Sequence, residues 1–291
     1  MEPPSDTDIP DLPEGLSPQA AAAEFLELST DVERHVVGWP RASSLYKACM
    51  RLHVLGTRSA SEKKAYVDFK SKMIYGLGNA WHYWIQNSPE MFGDRRQGWW
   101  KCSACGRVLY FGGPPRKNCT NCGARKEAIV YREHTLKSKK LMVTGHPDLF
   151  LLRYPGTPLR VVELKSLSGD LYPKLIAPDI EHQWQIETYM MACSVDKNLP
   201  VETDREIGYI GYFSKKPIAN DLGVKFFTHK TSRPLVNRIK AKLKTFRDGL
   251  KNYPEDLPQP VSACSNSNFT SYHAKMCPCK QECLTLLKEG K

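Results

Sequence analysis

Apolar positions recur along this chain with two different periods. From Leu149 to Arg153 the run is apolar and strand-like. Tyr154-Pro155-Gly156-Thr157-Pro158 is dense turn chemistry, and Leu159 to Leu164 reads as a second strand. The pattern predicts a hairpin folded about Pro155 and Gly156. Ile207 to Phe213 is a further strand-like run. Helical spacing governs elsewhere. Leu235, Ile239, Leu243, Phe246 and Leu250 form an apolar stripe across Arg233 to Lys251, and Leu77 to Gln86 is another helical run. Gln185 and Tyr189 lie four apart on one helix face, preceded by His182, and the run continues into apolar Tyr189 to Cys193. Together these elements predict an α/β domain: a mixed central sheet with the hairpin at its centre and helices on both sides.

Composition narrows the setting. The chain has 291 residues, enough for one large domain or a core with attachments. No stretch approaches the ~20 apolar residues that span a membrane. Met1 to Ser17 is acidic and proline-rich, without the basic start and apolar run of a secretory signal, so residues 1–19 are expected to be a mobile tail. The expected location is the cytoplasm, of a bacterium or a phage-infected host cell. Formal charge is +11, from 42 Lys and Arg against 31 Asp and Glu, which favours a polyanionic partner. On the helix over Arg233 to Lys251, Arg238, Lys240, Lys242, Lys244, Arg247 and Lys251 occupy the faces left by the apolar stripe. They form either a solvated face or one that tracks phosphates.

The predicted hairpin carries the first candidate chemistry. Folded about its turn, it sets Asp148 opposite Glu163, fifteen residues on, with Lys165 rejoining that face two residues later. Buried carboxylates so close repel unless one is protonated or a cation lies between them. A hard cation such as Mg²⁺ or Mn²⁺, keeping waters for a phosphate, suits such a site. The plain alternative is a turn-capping Asp148 and a surface Glu163–Lys165 pair. Against it, Val161, Val162, Leu164 and Leu167 surround the motif, and a strand apolar on both faces is usually buried.

Ten cysteines in a cytoplasmic chain point to metal rather than disulfides. Cys102-x-x-Cys105 and Cys119-x-x-Cys122 are two knuckles thirteen residues apart, each followed by a glycine, Gly106 or Gly123. Four thiolates suit a structural Zn²⁺ that would supply the folding energy of residues 98–129. Cations and aromatics crowd this ribbon, which suits nucleic-acid contact, docking of a partner or a purely structural part. A second group comprises Cys264, Cys277, Cys279 and Cys283, with Cys49 far upstream. Four thiolates there hold either zinc or an iron–sulfur cluster, and sequence alone does not separate them. Cys193 reads as a small buried residue.

Taken in order, these motifs resemble the PD-(D/E)xK nuclease superfamily, specifically its RecB-type branch of phage exonucleases and CRISPR-associated adaptation nucleases with an iron–sulfur cluster. Gly78-Asn79-Ala80-Trp81-His82 resembles that branch's upstream metal-binding histidine element. Gly145-His146-Pro147-Asp148 matches its aspartate element, Glu163-Leu164-Lys165 its E-x-K pair, and Gln185-Ile186-Glu187-Thr188-Tyr189 its helical Q-x-x-x-Y element. The resemblance implies a restriction-endonuclease-like core over residues 20–97 and 130–255, with the zinc ribbon, 98–129, inserted. It implies His82, Asp148, Glu163 and the Leu164 carbonyl as metal ligands, with Lys165, Gln185 and Tyr189 joining Asp148 and Glu163 in catalysis. It further implies a four-iron, four-sulfur cluster on Cys49, Cys264, Cys277 and Cys283, in a C-terminal segment 256–291 paired with Cys49. Zinc is the alternative there, and Cys279 the bystander. The gap from Cys264 to Cys277 exceeds the spacing of many members. The implied activity is metal-dependent DNA cleavage, as an exonuclease processing ends in replication, recombination or repair. The implied partners are DNA ends or single strands and a recombination or replication protein, with no membrane. The alternative from another class is a catalytically silent module that binds DNA or a recombinase through structural metal sites.

Overall fold

In the computed structural model, described residues are 32–35, 38–58, 64–67, 69–88, 90–216, 221, 223–271, 275 and 277–291. The expected tail at 1–19 lies outside them. A small ladder joins β1 (Val32–His35) to β2 (Lys64–Val67). Helix α1 (Met50–Arg58) lies between them in sequence, and α2 (Phe69–Asn87) follows. Then come β3 (Arg96–Cys102), β4 (Val108–Gly112), β5 (Ile129–Arg132), the short β6–β7 pair (Leu136–Ser138, Val143–Gly145), β8 (Leu149–Leu151) and β9 (Arg160–Leu167). Helix α3 (Ile180–Cys193) leads to β10 (Ile207–Ser214) and β11 (Val224–Lys230). Helices α4 (Arg233–Lys251), α5 (Ser262–Ser265) and α6 (Lys280–Lys288) complete the chain. Among the described residues, no helix is long and apolar enough to cross a membrane.

The main sheet runs β11-β10-β9-β8-β3-β4, with β5 also paired to β3. Only β9 and β10 are parallel, because α3 crosses between them; the other pairs are antiparallel. The sheet is therefore mixed but mostly antiparallel, and the β8–β9 hairpin sits at its centre. Leu149 pairs with Val162 and Phe150 with Val161.

Alternation along these strands splits the core in two. Phe150, Val161, Ile210 and Tyr212 face a layer built from α1, α3, α4 and α6. Leu149, Val162, Leu164 and Phe213 face the other way, with Ile85 of α2 and Trp100 of β3. The stripe predicted on α4 is real: Leu235, Ile239, Leu243 and Phe246 are buried. Helix α3 is buried from Trp184 to Cys193, clamped between sheet and helices. Its close approach depends on Gly208, where a Cβ would lie 2.8 Å from the Met190 sulfur.

The ribbon, expected at residues 98–129, is joined to the main sheet through the start of β3. Its first strand, β3, begins inside the main sheet, with Arg96 opposite Leu151 and Gln97 opposite Phe150, before running out between β4 and β5. Cys102 and Cys119 share a core with Leu149 and Val162. Pairing with β8 ends at Gln97, and from Gly98 onward β3 pairs with β4 and β5.

Candidate active site and metal centres

Strand β7 ends at Gly145, and the chain turns through His146 and Pro147 to deliver Asp148 just before β8. The turn is packed from below. A Cβ on Gly145 would stand 2.5 Å from the Tyr189 ring, so only glycine lets α3 fill that space. Asp148 is 5% exposed, and its Oδ2 accepts a 2.6 Å hydrogen bond from the Leu164 amide. That bond fixes the carboxylate across the hairpin from Glu163, which is 1% exposed. Lys165 follows on the same face, its Nζ 2.6 Å from Glu163 Oε1 and 2.9 Å from Gln185 Oε1. Gln185 donates to Tyr189 Oη at 3.4 Å, and the same oxygen accepts from the His146 amide at 3.3 Å. From α2, His82 Nδ1 lies 3.3 Å from Asp148 Oδ1. The structure thus brings His82, Asp148, Glu163, Lys165, Gln185 and Tyr189 into one connected patch, with Leu164 contributing its N–H.

Two residues with no place in the sequence motifs join them. Gln86, one turn after His82, donates to the Asp148 carbonyl at 2.8 Å and to Glu133 Oε1 at 2.9 Å. Glu133 follows β5 and offers an oxygen that lies, with donor atoms of His82 and Asp148, in a group spanning no more than 4.8 Å. Glu163 stands outside that compact group, turned toward Lys165. The i, i+4 spacing of His82 and Gln86 was a usable signal for Gln86. Glu133 carried none, because only the fold brings the end of β5 to α2.

The charges are poorly compensated. Burial, and then the charge of Asp148, push the Glu163 carboxyl up to about 8 against the pull of Lys165 and His82. Burial and Asp148 likewise raise Glu133 to about 7. For His82 burial acts downward, but the hydrogen bond and charge of Asp148 outweigh it and leave the imidazole raised. Glu163 Oε2 is buried with no hydrogen-bond partner. An orphaned carboxylate oxygen among further carboxylates and an imidazole is what a hard divalent cation satisfies. The donor set fits such an ion.

The ribbon thiols are arranged more tightly. Cys102 and Cys122 sulfurs are 3.7 Å apart, Cys105 and Cys119 sulfurs 3.9 Å, and all four lie within 4.8 Å of one another. Thiolates on a tetrahedron of ~2.3 Å Zn–S bonds sit about 3.8 Å apart, so the four fit one zinc ion. Gly106 and Gly123 make the knuckles, at φ 73° and 72°, conformations only glycine adopts cheaply. The Arg107 amide, then the Asn121 side chain, pull the Cys105 thiol down to about 6.

Cys49, Cys264, Cys277, Cys279 and Cys283 line one small cavity between α1 and the C-terminal segment. Burial raises the Cys277 thiol most, the Cys279 backbone lowers it, and the charges of Cys49, Cys264 and Cys283 raise it further. These thiols are spread more widely than the ribbon thiols, no three meeting within 4.8 Å. Arg51, fully buried, donates from Nε to the Cys283 sulfur at 3.2 Å and from Nη2 to the Lys291 carbonyl at 2.8 Å. Cys279 is buried at the start of α6, and Cys193 is buried in α3.

No family model matches this chain, and no curated protein matches it. Among solved structures it is similar to an alkaline exonuclease from Laribacter hongkongensis at 11% identity and TM-score 0.42, over 79% of this chain and 92% of that one. It is also similar to the crystal structure of SSO0001 at 14% identity and TM-score 0.38, over 90% of this chain and 98% of that one.

Proposed function

We propose that this protein is a divalent-metal-dependent deoxyribonuclease acting as an exonuclease on DNA ends in replication, recombination or repair. One observation carries the reading: the buried, unpartnered Glu163 Oε2 sits beside Asp148, His82 and Lys165. Asp148, His82, Glu163 and the Leu164 carbonyl would hold Mg²⁺ or Mn²⁺, with Glu133 as an added ligand. When bound, such an ion polarises the scissile phosphate and lowers the pKa of a coordinated water. Lys165, held between Glu163 and Gln185, orients that water or neutralises charge growing on the phosphate. Gln185 and Tyr189 keep the lysine from swinging away, and Tyr189 ties it to the backbone that carries Asp148. In the same reading Cys49, Cys264, Cys277 and Cys283 hold a four-iron, four-sulfur cluster. A cluster would suit thiolates spread more widely than those of a single-zinc site.

The test is digestion of end-labelled linear and circular DNA with Mg²⁺, Mn²⁺ or chelator, with Glu163→Ala alongside. Divalent-dependent loss of linear DNA that the variant lacks is the expected result. Digestion that survives Glu163→Ala, or no digestion with either metal, removes the nuclease reading and leaves the silent binding module.

A further inference from the structure

Two clefts outside the acidic patch adjoin one another along the ribbon. The larger, of about 670 Å³, is lined by Tyr110, Arg116 and Lys117 among others, and Asp94 is its one carboxylate. The second, of about 380 Å³, is lined by Tyr83 and Lys126, with Glu127 its one carboxylate. Pro114, Pro115 and Ile129 belong to both walls, so the clefts are immediate neighbours. Tyr83 is the residue after His82 on α2, and the second cleft therefore ends at the helix that supplies the imidazole of the acidic patch.

The chemistry of this groove is that of a polyanion site with flat apolar faces. Residues 95–126 hold eight Lys and Arg and no carboxylate. Arg96 lines the second cleft with its guanidinium buried against the carbonyls of Ile85 and Ser88, its Nε unpartnered among the described residues and no carboxylate paired with it. An uncompensated buried cation makes the floor of the cleft positive. Each cleft has an exposed ring in its wall: Tyr83 in the second is 57% exposed and Tyr110 in the first 36%. Aromatic faces beside cations match the bases and phosphates of a nucleic-acid strand. A duplex hides its base faces, whereas a single strand offers them for stacking.

We propose that the two clefts form one groove for single-stranded nucleic acid, with Arg116, Lys117 and Lys126 taking phosphates and Tyr83 and Tyr110 stacking bases. The groove leads the strand toward the His82 end of α2. Its destination rests on the nuclease reading; its existence does not. Arg116 is also tied to Asp94 at 2.6 Å, an exposed pair that a phosphate can displace.

The test is anisotropy of a labelled fifteen-nucleotide oligo-dT and of a blunt duplex, titrated with full-length protein in metal-depleted buffer at several salt concentrations. Nothing is cut under these conditions, so the result is independent of catalysis. Wild type should bind the single strand tighter than the duplex. Replacing Arg116, Lys117 and Lys126 with alanine should lower the slope of log affinity against log salt by about 2, at ~0.7 per single-strand phosphate contact. Tyr83→Ala should weaken oligo-dT binding about five- to hundredfold with the slope unchanged, while Tyr83→Phe retains it. All are surface changes, and an unchanged zinc content confirms an intact ribbon. An unaltered slope in the triple variant, no loss in Tyr83→Ala, or equal losses on duplex would each overturn the groove. So would polyglutamate that competes as well as unlabelled oligo-dT, which would indicate an acidic protein partner. Groove binding without DNA digestion leaves this inference standing and removes the nuclease; digestion with unaltered binding does the reverse.

Discussion

Glu163→Gln should stabilise the metal-free protein, by an amount that grows as pH rises from about 5 to about 8. An isolated glutamate titrates near 4.5, whereas burial and Asp148 push Glu163 up to about 8. Between those values the folded state holds a proton that the unfolded state has released, so stability falls as pH rises through this window and levels off above it. At 1.36 kcal/mol per unit, the full shift has a ceiling of about 5 kcal/mol, and half-titration at pH 8 trims it to about 4. His82 and Lys165 keep 24% and 23% of their side chains exposed, so water reaches the rim of the site. The expected gain at pH 8 is therefore about 2 to 4 kcal/mol. Near pH 5 the wild-type carboxyl is protonated in the fold, glutamine mimics it, and the two proteins should agree within about 1 kcal/mol. Urea unfolding followed by tryptophan fluorescence at pH 5 and pH 8, in resin-treated chelator-free buffer that spares any metal on the ribbon thiols, measures both values. A variant no more stable relative to wild type at pH 8 than at pH 5 would refute the idea of a strained acidic site.

The other expectations concern the metals. Mn²⁺ should raise the melting temperature of wild type at pH 8 by binding the folded state alone. His82→Ala and Glu133→Gln should each weaken that response at least about tenfold in concentration; a response matching wild type in both would remove them as ligands. Cys102→Ser should abolish zinc binding, and hydrogen exchange should quicken in Leu149–Leu151 as well as in the ribbon, because β3 pairs with β8. Protection of β8 unchanged from wild type would mean the ribbon folds independently after all. Anaerobically purified protein should absorb broadly near ~400 nm. Cys49→Ala should bleach it and lower global stability, since the bridge closes a loop of more than two hundred residues. Cys279→Ala should do neither, and colourless protein carrying two zinc ions would replace the cluster with zinc.

What was legible in the sequence was local. The turn at Pro155 and Gly156 sets the hairpin register that places Asp148 across from Glu163, and the α4 stripe announces its buried face. Glu133 was illegible because it reaches the site only after the chain has gone out through the ribbon and back along β5. The pairing of β3 with β8 was illegible for the same reason: Gln97 and Phe150 meet across more than fifty residues of intervening chain. A short window sees the knuckle cysteines and their glycines, but not which strand continues into the sheet. Helix α3 is buried on nearly every side, so its polar residues stand out by identity rather than by period. Gln185 proves to be a brace for Lys165, and Glu187 accepts from Thr231 and Ser232 at the start of α4 while pairing with His229.

The site's electrostatics also bear on when it can act. Lys165 alone does not ionise Glu163 at neutral pH, although its ammonium is 2.6 Å away, because burial and Asp148 together outweigh it. A second positive charge is needed, and the unpartnered Oε2 marks where one is missing. A cation bound there must displace the proton from Glu163, so its apparent affinity should climb with pH up to about 8 and then flatten. The same carboxyl that weakens the empty fold thus becomes a strong ligand once its charge is met. Replacing it with glutamine should exchange stability gained for metal affinity lost, a trade that a surface Glu163–Lys165 pair would not produce.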